Sequence, residues 1–170
     1  MAKAIKTVKE KSQLQSLLSK ITKGKSLLQQ WIDLDPIYVG EKNSADYEQS
    51  IHKHLIDSAE QIRLDGHWCE FGVREGRSLH WLTDKYPTQI IHAFDSWQGL
   101  PEAWDNGTGK VADMSCEPPV VPGHIKLHKG WFKDTLPVWK QQHKGPIAFL
   151  HMDADIYSST KEELMSLNDQ

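Results

Sequence analysis

His67-Trp68-Cys69-Glu70-Phe71-Gly72-Val73-Arg74-Glu75-Gly76-Arg77-Ser78-Leu79-His80-Trp81-Leu82 passes from an apolar-rich run, through two glycines, into a helical pattern. The run up to Phe71 is short enough for a strand, and Leu79 and Leu82 repeat at helical spacing behind Ser78. Strand, glycine loop and helix in that order present backbone N–H groups and the positive end of a helix dipole to a ligand. Glu70 stands at the carboxyl end of the strand. A second acid, Asp95, closes another apolar run, Ile90-Ile91-His92-Ala93-Phe94, and lies 25 residues beyond Glu70. An acid in that place reads a ribose diol. The stretch therefore describes an α/β site for a nucleotide-type cofactor.

The same reading extends outward on both sides. Upstream, Ile51, Leu55, Ala59 and Ile62 mark the core face of a helix from Ser44 to about Leu64, and Asp65-Gly66 turns the chain into the first strand. Residues 1–43 form an N-terminal helical segment, lysine-rich, with Leu14, Leu17, Leu18 and Ile21 on one face. That narrow stripe suits packing on the domain, or on a second subunit of a homo-oligomer, better than a membrane surface, because it carries no aromatic before Trp31. Downstream, a helix from Arg77 to Lys85 leads to a strand from Gln89 to Phe94. A long Gly- and Pro-rich loop then runs from Asp95 to about Pro122, of the length that more often forms a functional lid than a passive connector. Trp97 and Trp104, in that loop, are expected to line a pocket.

A third strand (Ile125–His128), a helix carrying Leu136, Val138 and Trp139, and a fourth strand (Ile147–Met152) follow. Ser158-Ser159-Thr160 offers caps for a last helix near Lys161. Strands alternating with helices imply a parallel sheet, whose ligands lie beyond the carboxyl ends of its strands. Glu70, Asp95, Gly130 and Asp153 all stand at such ends, and they come from four separate segments.

Composition narrows the class. A chain of 170 residues is sized for one domain, and its net charge of −3 argues against a dedicated nucleic-acid binder. No apolar run is long enough to span a bilayer, and the N-terminus lacks the apolar segment of a secretory signal, so a soluble cytoplasmic domain with no membrane partner is expected. The two cysteines, Cys69 and Cys116, make neither a disulfide framework nor a zinc pattern.

Four blocks now stand in order: Glu70-Phe71-Gly72-Val73; Asp95-Ser96-Trp97-Gln98-Gly99-Leu100-Pro101; Gly130-Trp131-Phe132-Lys133-Asp134-Thr135-Leu136-Pro137; and His151-Met152-Asp153-Ala154-Asp155-Ile156-Tyr157-Ser158-Ser159-Thr160. Together they resemble the TylF-like (macrocin-type) O-methyltransferases, a branch of the class I S-adenosylmethionine-dependent methyltransferases. The resemblance implies an α/β fold with a Rossmann-like parallel sheet of the class I methyltransferase type. It covers residues 44–170 and makes them a partial class I methyltransferase domain. It implies that Glu70 holds the amino group of the cofactor's methionine part, that Gly72 and Gly76 let the backbone approach the cofactor, and that Ser78 helps fix its carboxylate. Asp95 would accept from the ribose hydroxyls with Ser96 beside it, and Gly130 and Trp131 would lie by the adenine. Asp153 would serve both as catalytic proton acceptor and as ligand to a divalent metal such as Mg.

The chemistry agrees with these residue types. Methyl transfer is a displacement that needs donor and acceptor aligned, and a hydroxyl acceptor needs its proton removed by a carboxylate. His151 shares strand parity with Asp153 and either faces the pocket or sits hydrogen-bonded in the core. The family pattern continues with further strands and acidic metal ligands. The expectation is therefore a sheet truncated after its fourth strand, in an incomplete copy of a longer enzyme acting on a small hydroxylated acceptor such as a sugar. Three alternatives stay open. A nicotinamide-dependent dehydrogenase would share the glycine loop but lacks its usual G-x-G-x-x-G spacing here. A metal-dependent glycosyltransferase would use Asp153-Ala154-Asp155, and a catalytically inactive cofactor-binding remnant would keep the fold without turnover.

Overall fold

The structure is a computed structural model that describes residues 44–104 and 109–168. The expected N-terminal helix, its boundary at residue 43 and the loop residues Asp105, Asn106 and Gly107 lie outside the described residues. The elements are α1 (Ser44–Glu60), β1 (His67–Phe71), α2 (Arg77–Lys85), β2 (Ile91–Asp95), β3 (Ile125–Lys129), α3 (Phe132–Gln142), β4 (Ile147–Met152) and α4 (Tyr157–Leu167). Among the described residues the strands form a single sheet in the order β3-β2-β1-β4, and every pairing is parallel.

Side-chain alternation along the strands separates two cores. On one face Trp68, Ile91, Ala93, Ile125 and Phe149 pack with Leu55 and Ala59 of α1 and with Leu79 and Leu82 of α2. On the other, Cys69, Phe71 and Phe94 pack with Leu136 and Trp139 of α3 and Leu167 of α4. Central strands covered on both faces read as nearly continuous apolar runs, which is why β1 and β2 are almost wholly buried. The flanking β3 and β4 are half-exposed. Phe71 and Phe94, adjacent in register, stack with ring centres 4.7 Å apart and tie β1 to β2 in the second core.

Three boundaries differ from the sequence reading by two residues or more. α1 stops at Glu60, where the bonds tighten to Gln61 N–H on Ser58 and Ile62 N–H on Ala59, and Arg63 caps the Glu60 and Ile62 carbonyls. Leu64 is left 68% exposed and takes no part in the core. β2 starts at Ile91, with Ile90 outside it and exposed. α4 begins at Tyr157, so Ser158, Ser159 and Thr160 lie inside its first turn and supply no cap. The cause is a sharp turn after β4: Asp155 takes a left-handed φ of 61°, and the Ile156 N–H bonds back to Ala154. Ile156, 4% exposed, then anchors the start of the helix.

Candidate functional site

The four strand tips are tied to one another by backbone bonds. Asp153 N–H donates to Phe71 O (2.8 Å), Gly72 N–H to Phe94 O (3.0 Å) and Gly130 N–H to Asp95 O (2.9 Å). These bonds carry the ladder of the sheet one step into the loops, so the rim is built before any side chain is considered. Gly72 is the tightest point. Its φ is 85°, and a Cβ there would lie 2.3 Å from the Asp153 carbonyl oxygen. Gly76, with φ of 80°, starts α2 against Pro119. Just past the ends of β1, β2 and β4, Arg74, Trp97 and Asp155 take left-handed φ, as do Ala112 and Met114 further along the loop after β2. Strain of that kind persists only where surrounding contacts over-determine it, and it gathers at functional sites.

Above this rim lies a cavity of about 760 Å³, within the range of small-molecule sites. Seven of the nine residues expected at a site line it: Gly72, Ser78, Asp95, Ser96, Gly130, Trp131 and Asp153. Glu70 and Gly76 sit behind the wall. Glu70 is fully buried; its Oε1 accepts from the Ser78 hydroxyl, and its Oε2 has no hydrogen-bond partner among the described residues. His151 Nδ1 stands at ion-pair distance from Oε2 (3.5 Å) but is not aligned as a hydrogen bond. Burial by itself would lower the His151 pKa. Glu70 and Asp153 outweigh it and hold the imidazole above its ordinary value.

Asp95 has a different employment from the one its position suggests. Oδ2 accepts from the N–H groups of Val73 and Arg74, and Oδ1 from that of Trp97, each at 2.8 Å. The glycine-loop N–H groups expected to face a ligand are thus turned onto Asp95. A carboxylate offers about four lone-pair sites, so one on Oδ1 remains for a hydroxyl. Ser96 is buried, and its Oγ accepts from Gln98 N–H. Trp97 and Trp104 do not line the cavity: Trp97 is 5% exposed in the core, its indole N–H held by the Arg74 carbonyl. Their places are taken by Trp131 and by Trp81, which shares a helix face with Ser78 three residues earlier. That spacing was a signal available in the sequence.

Asp153 reaches the open mouth of the cavity while its carboxyl is partly desolvated. That desolvation raises its pKa, the charges of Asp155 and Glu70 add to the rise, and His151 opposes it. Asp155 is raised too, first by burial. Among the described residues no three or more His, Cys, Asp or Glu side chains are grouped to hold a metal ion. The donor set around Asp153 therefore does not fit a bound divalent cation, which wants several oxygen ligands.

An all-parallel sheet with helices on both faces and a cavity at the carboxyl ends of its strands defines a Rossmann-like α/β fold. The family model described as Macrocin-O-methyltransferase (TylF) matches residues 120–170, the part that carries β3, α3, β4 and α4. The resemblance to the TylF-like O-methyltransferases thus holds over the segment containing Gly130, Trp131 and Asp153. Among solved structures, the chain is similar to the calicheamicin methyltransferase CalS11 at 20% identity and a TM-score of 0.59, covering 95% of this chain and 73% of that one. The apo structure of CalS11, described as a TDP-rhamnose 3'-O-methyltransferase in calicheamicin biosynthesis, matches at a TM-score of 0.51 with the same identity and coverage. At that identity the likeness is one of fold alone. No curated protein matches the sequence.

Proposed function

We propose that the cavity binds S-adenosylmethionine and that the protein serves methyl transfer to a hydroxyl of a small acceptor, a sugar being the favoured class. The observation that carries this is the convergence of Ser78, Asp95, Trp131 and Asp153, from four separate segments, on one cavity. The likeness to CalS11, a TDP-rhamnose 3'-O-methyltransferase, supports the sugar. The Oε2 of Glu70, which faces His151 but accepts no hydrogen bond among the described residues, supports the fit, because a buried carboxylate oxygen with acceptor capacity left suits a cationic amino group approaching past Ser78. Trp131 offers an aromatic face to the adenine, and the free lone pair on Asp95 accepts from one ribose hydroxyl.

When bound, the cofactor supplies a methyl group on a positively charged sulfur, an electrophile that needs alignment more than activation. Asp153 takes the proton of the acceptor hydroxyl. Its raised pKa brings it closer to working pH, where a carboxylate base is more effective. No step is assigned to a metal. The second reading is a cofactor-binding protein without turnover.

Calorimetry with S-adenosylhomocysteine, NAD and a sugar nucleotide tests the first half: binding of the homocysteine compound alone is expected, and binding of NAD alone would refute it. Methyl transfer to hydroxylated sugars tests the second. Asp153→Asn is expected to lower turnover about 100-fold or more while leaving S-adenosylhomocysteine affinity within a few-fold. Cofactor binding with no turnover on any acceptor would favour the second reading.

A further inference from the structure

Arg77 has no role in the account above. It is the first residue of α2, lines the cavity next to Ser78, and is held by Glu48 of α1, Nη1 to Oε1 at 2.6 Å. The amino-acid end of the proposed cofactor is a zwitterion, so it needs a cation as well as an anion. Glu70 behind Ser78 is the anion. Besides His151, which faces Glu70, three basic side chains line the cavity among the described residues: Arg74, Arg77 and Lys133. Arg74 is paired with its neighbour Glu75 at 3.4 Å, and Lys133 stands beside Trp131 at the adenine side. Arg77 alone adjoins Ser78, at the helix end whose dipole favours negative charge. A guanidinium has five donors, and Glu48 leaves several of them for a planar, two-pronged contact with a carboxylate.

We propose that Arg77, braced by Glu48, receives the carboxylate of the cofactor's amino-acid end, so that the site selects adenosyl compounds bearing an α-amino acid over those lacking one. This rests on reading the cavity as an S-adenosylmethionine site. The helix α1 then has a functional as well as a packing role: it sets the angle of the guanidinium.

The test compares S-adenosylhomocysteine with 5′-methylthioadenosine, which keeps the nucleoside and sulfur but has no amino acid, on wild type, Arg77→Gln and Arg77→Lys. Arg77→Gln is expected to weaken S-adenosylhomocysteine by ~10- to 100-fold, the range of a lost charge-assisted pair, and to leave methylthioadenosine unchanged. Arg77→Lys is expected to fall between, because a point charge cannot make the two-pronged contact. Arg77 is exposed, and retained methylthioadenosine binding reports an intact fold. Equal loss of both ligands, or an unchanged affinity for S-adenosylhomocysteine, would overturn the role of Arg77 while the cofactor reading stands. Wild type binding neither compound would overturn both.

Discussion

Glu163 offers a severe test of the packing described above. It lies in α4, is fully buried, and both its carboxyl oxygens lack hydrogen-bond partners among the described residues. Burial, with Glu162 and Asp153 adding repulsion, pushes its pKa from the ordinary 4.5 up to about 9. The folded protein therefore keeps a proton that the unfolded chain has released between those two values. Stability is full below about pH 4.5 and falls as pH rises toward 9. The slope is about 1.4 kcal/mol per pH unit, so wild type is expected to lose ~4 kcal/mol from this group between pH 5 and 8.

Glu163→Leu removes the titration and leaves no polar atom orphaned. An apolar replacement of similar size for an unpaired buried carboxyl is neutral or stabilising. The variant is expected to exceed wild type by about 1 kcal/mol near pH 5, rising to ~5 kcal/mol near pH 8. Urea unfolding followed by tryptophan fluorescence at several pH values measures it. Taking variant minus wild type at each pH cancels the titration of every other group, the histidines included. A difference that does not grow with pH would refute the placement of Glu163 and the burial argument with it.

His92 carries the opposite sign. Burial first, then His143, His128, His67 and Lys126 around it, lower its pKa to about 3. Its contribution is intact above pH 6.5 and is lost as pH falls toward 3, so His92→Phe should lose ~2 kcal/mol less than wild type between pH 7 and 5 in the same assay. A steeper acid loss in the variant would sink this. Gly72→Ala should destabilise by ~3 kcal/mol, since the new Cβ would lie 2.3 Å from the Asp153 carbonyl at a φ of 85°. A urea midpoint unchanged from wild type would show that β1 and β4 do not meet as described.

Much of this molecule is written locally. Trp68 through Phe71, Ile91 through Phe94 and Ile147 through Met152 are apolar runs bounded by turn residues, and such runs become strands of a buried parallel sheet wherever helices alternate with them. That Gly72, Asp95, Gly130 and Asp153 stand at strand ends needs only the chain order. Which strand lies beside which is a matter of space: β4 pairs with β1, although β2 and β3 intervene in the chain. From that arrangement come the contacts no periodicity displays. Gly72 faces the Asp153 carbonyl, Glu70 withdraws behind Ser78 toward His151, and Glu48 reaches Arg77. Trp97 turns into the core and Trp131 lines the cavity, although both follow strand ends in the chain. Backbone period is a property of neighbouring residues, whereas the direction and charge state of a rim side chain depend on residues brought alongside from elsewhere, and only folding brings them there.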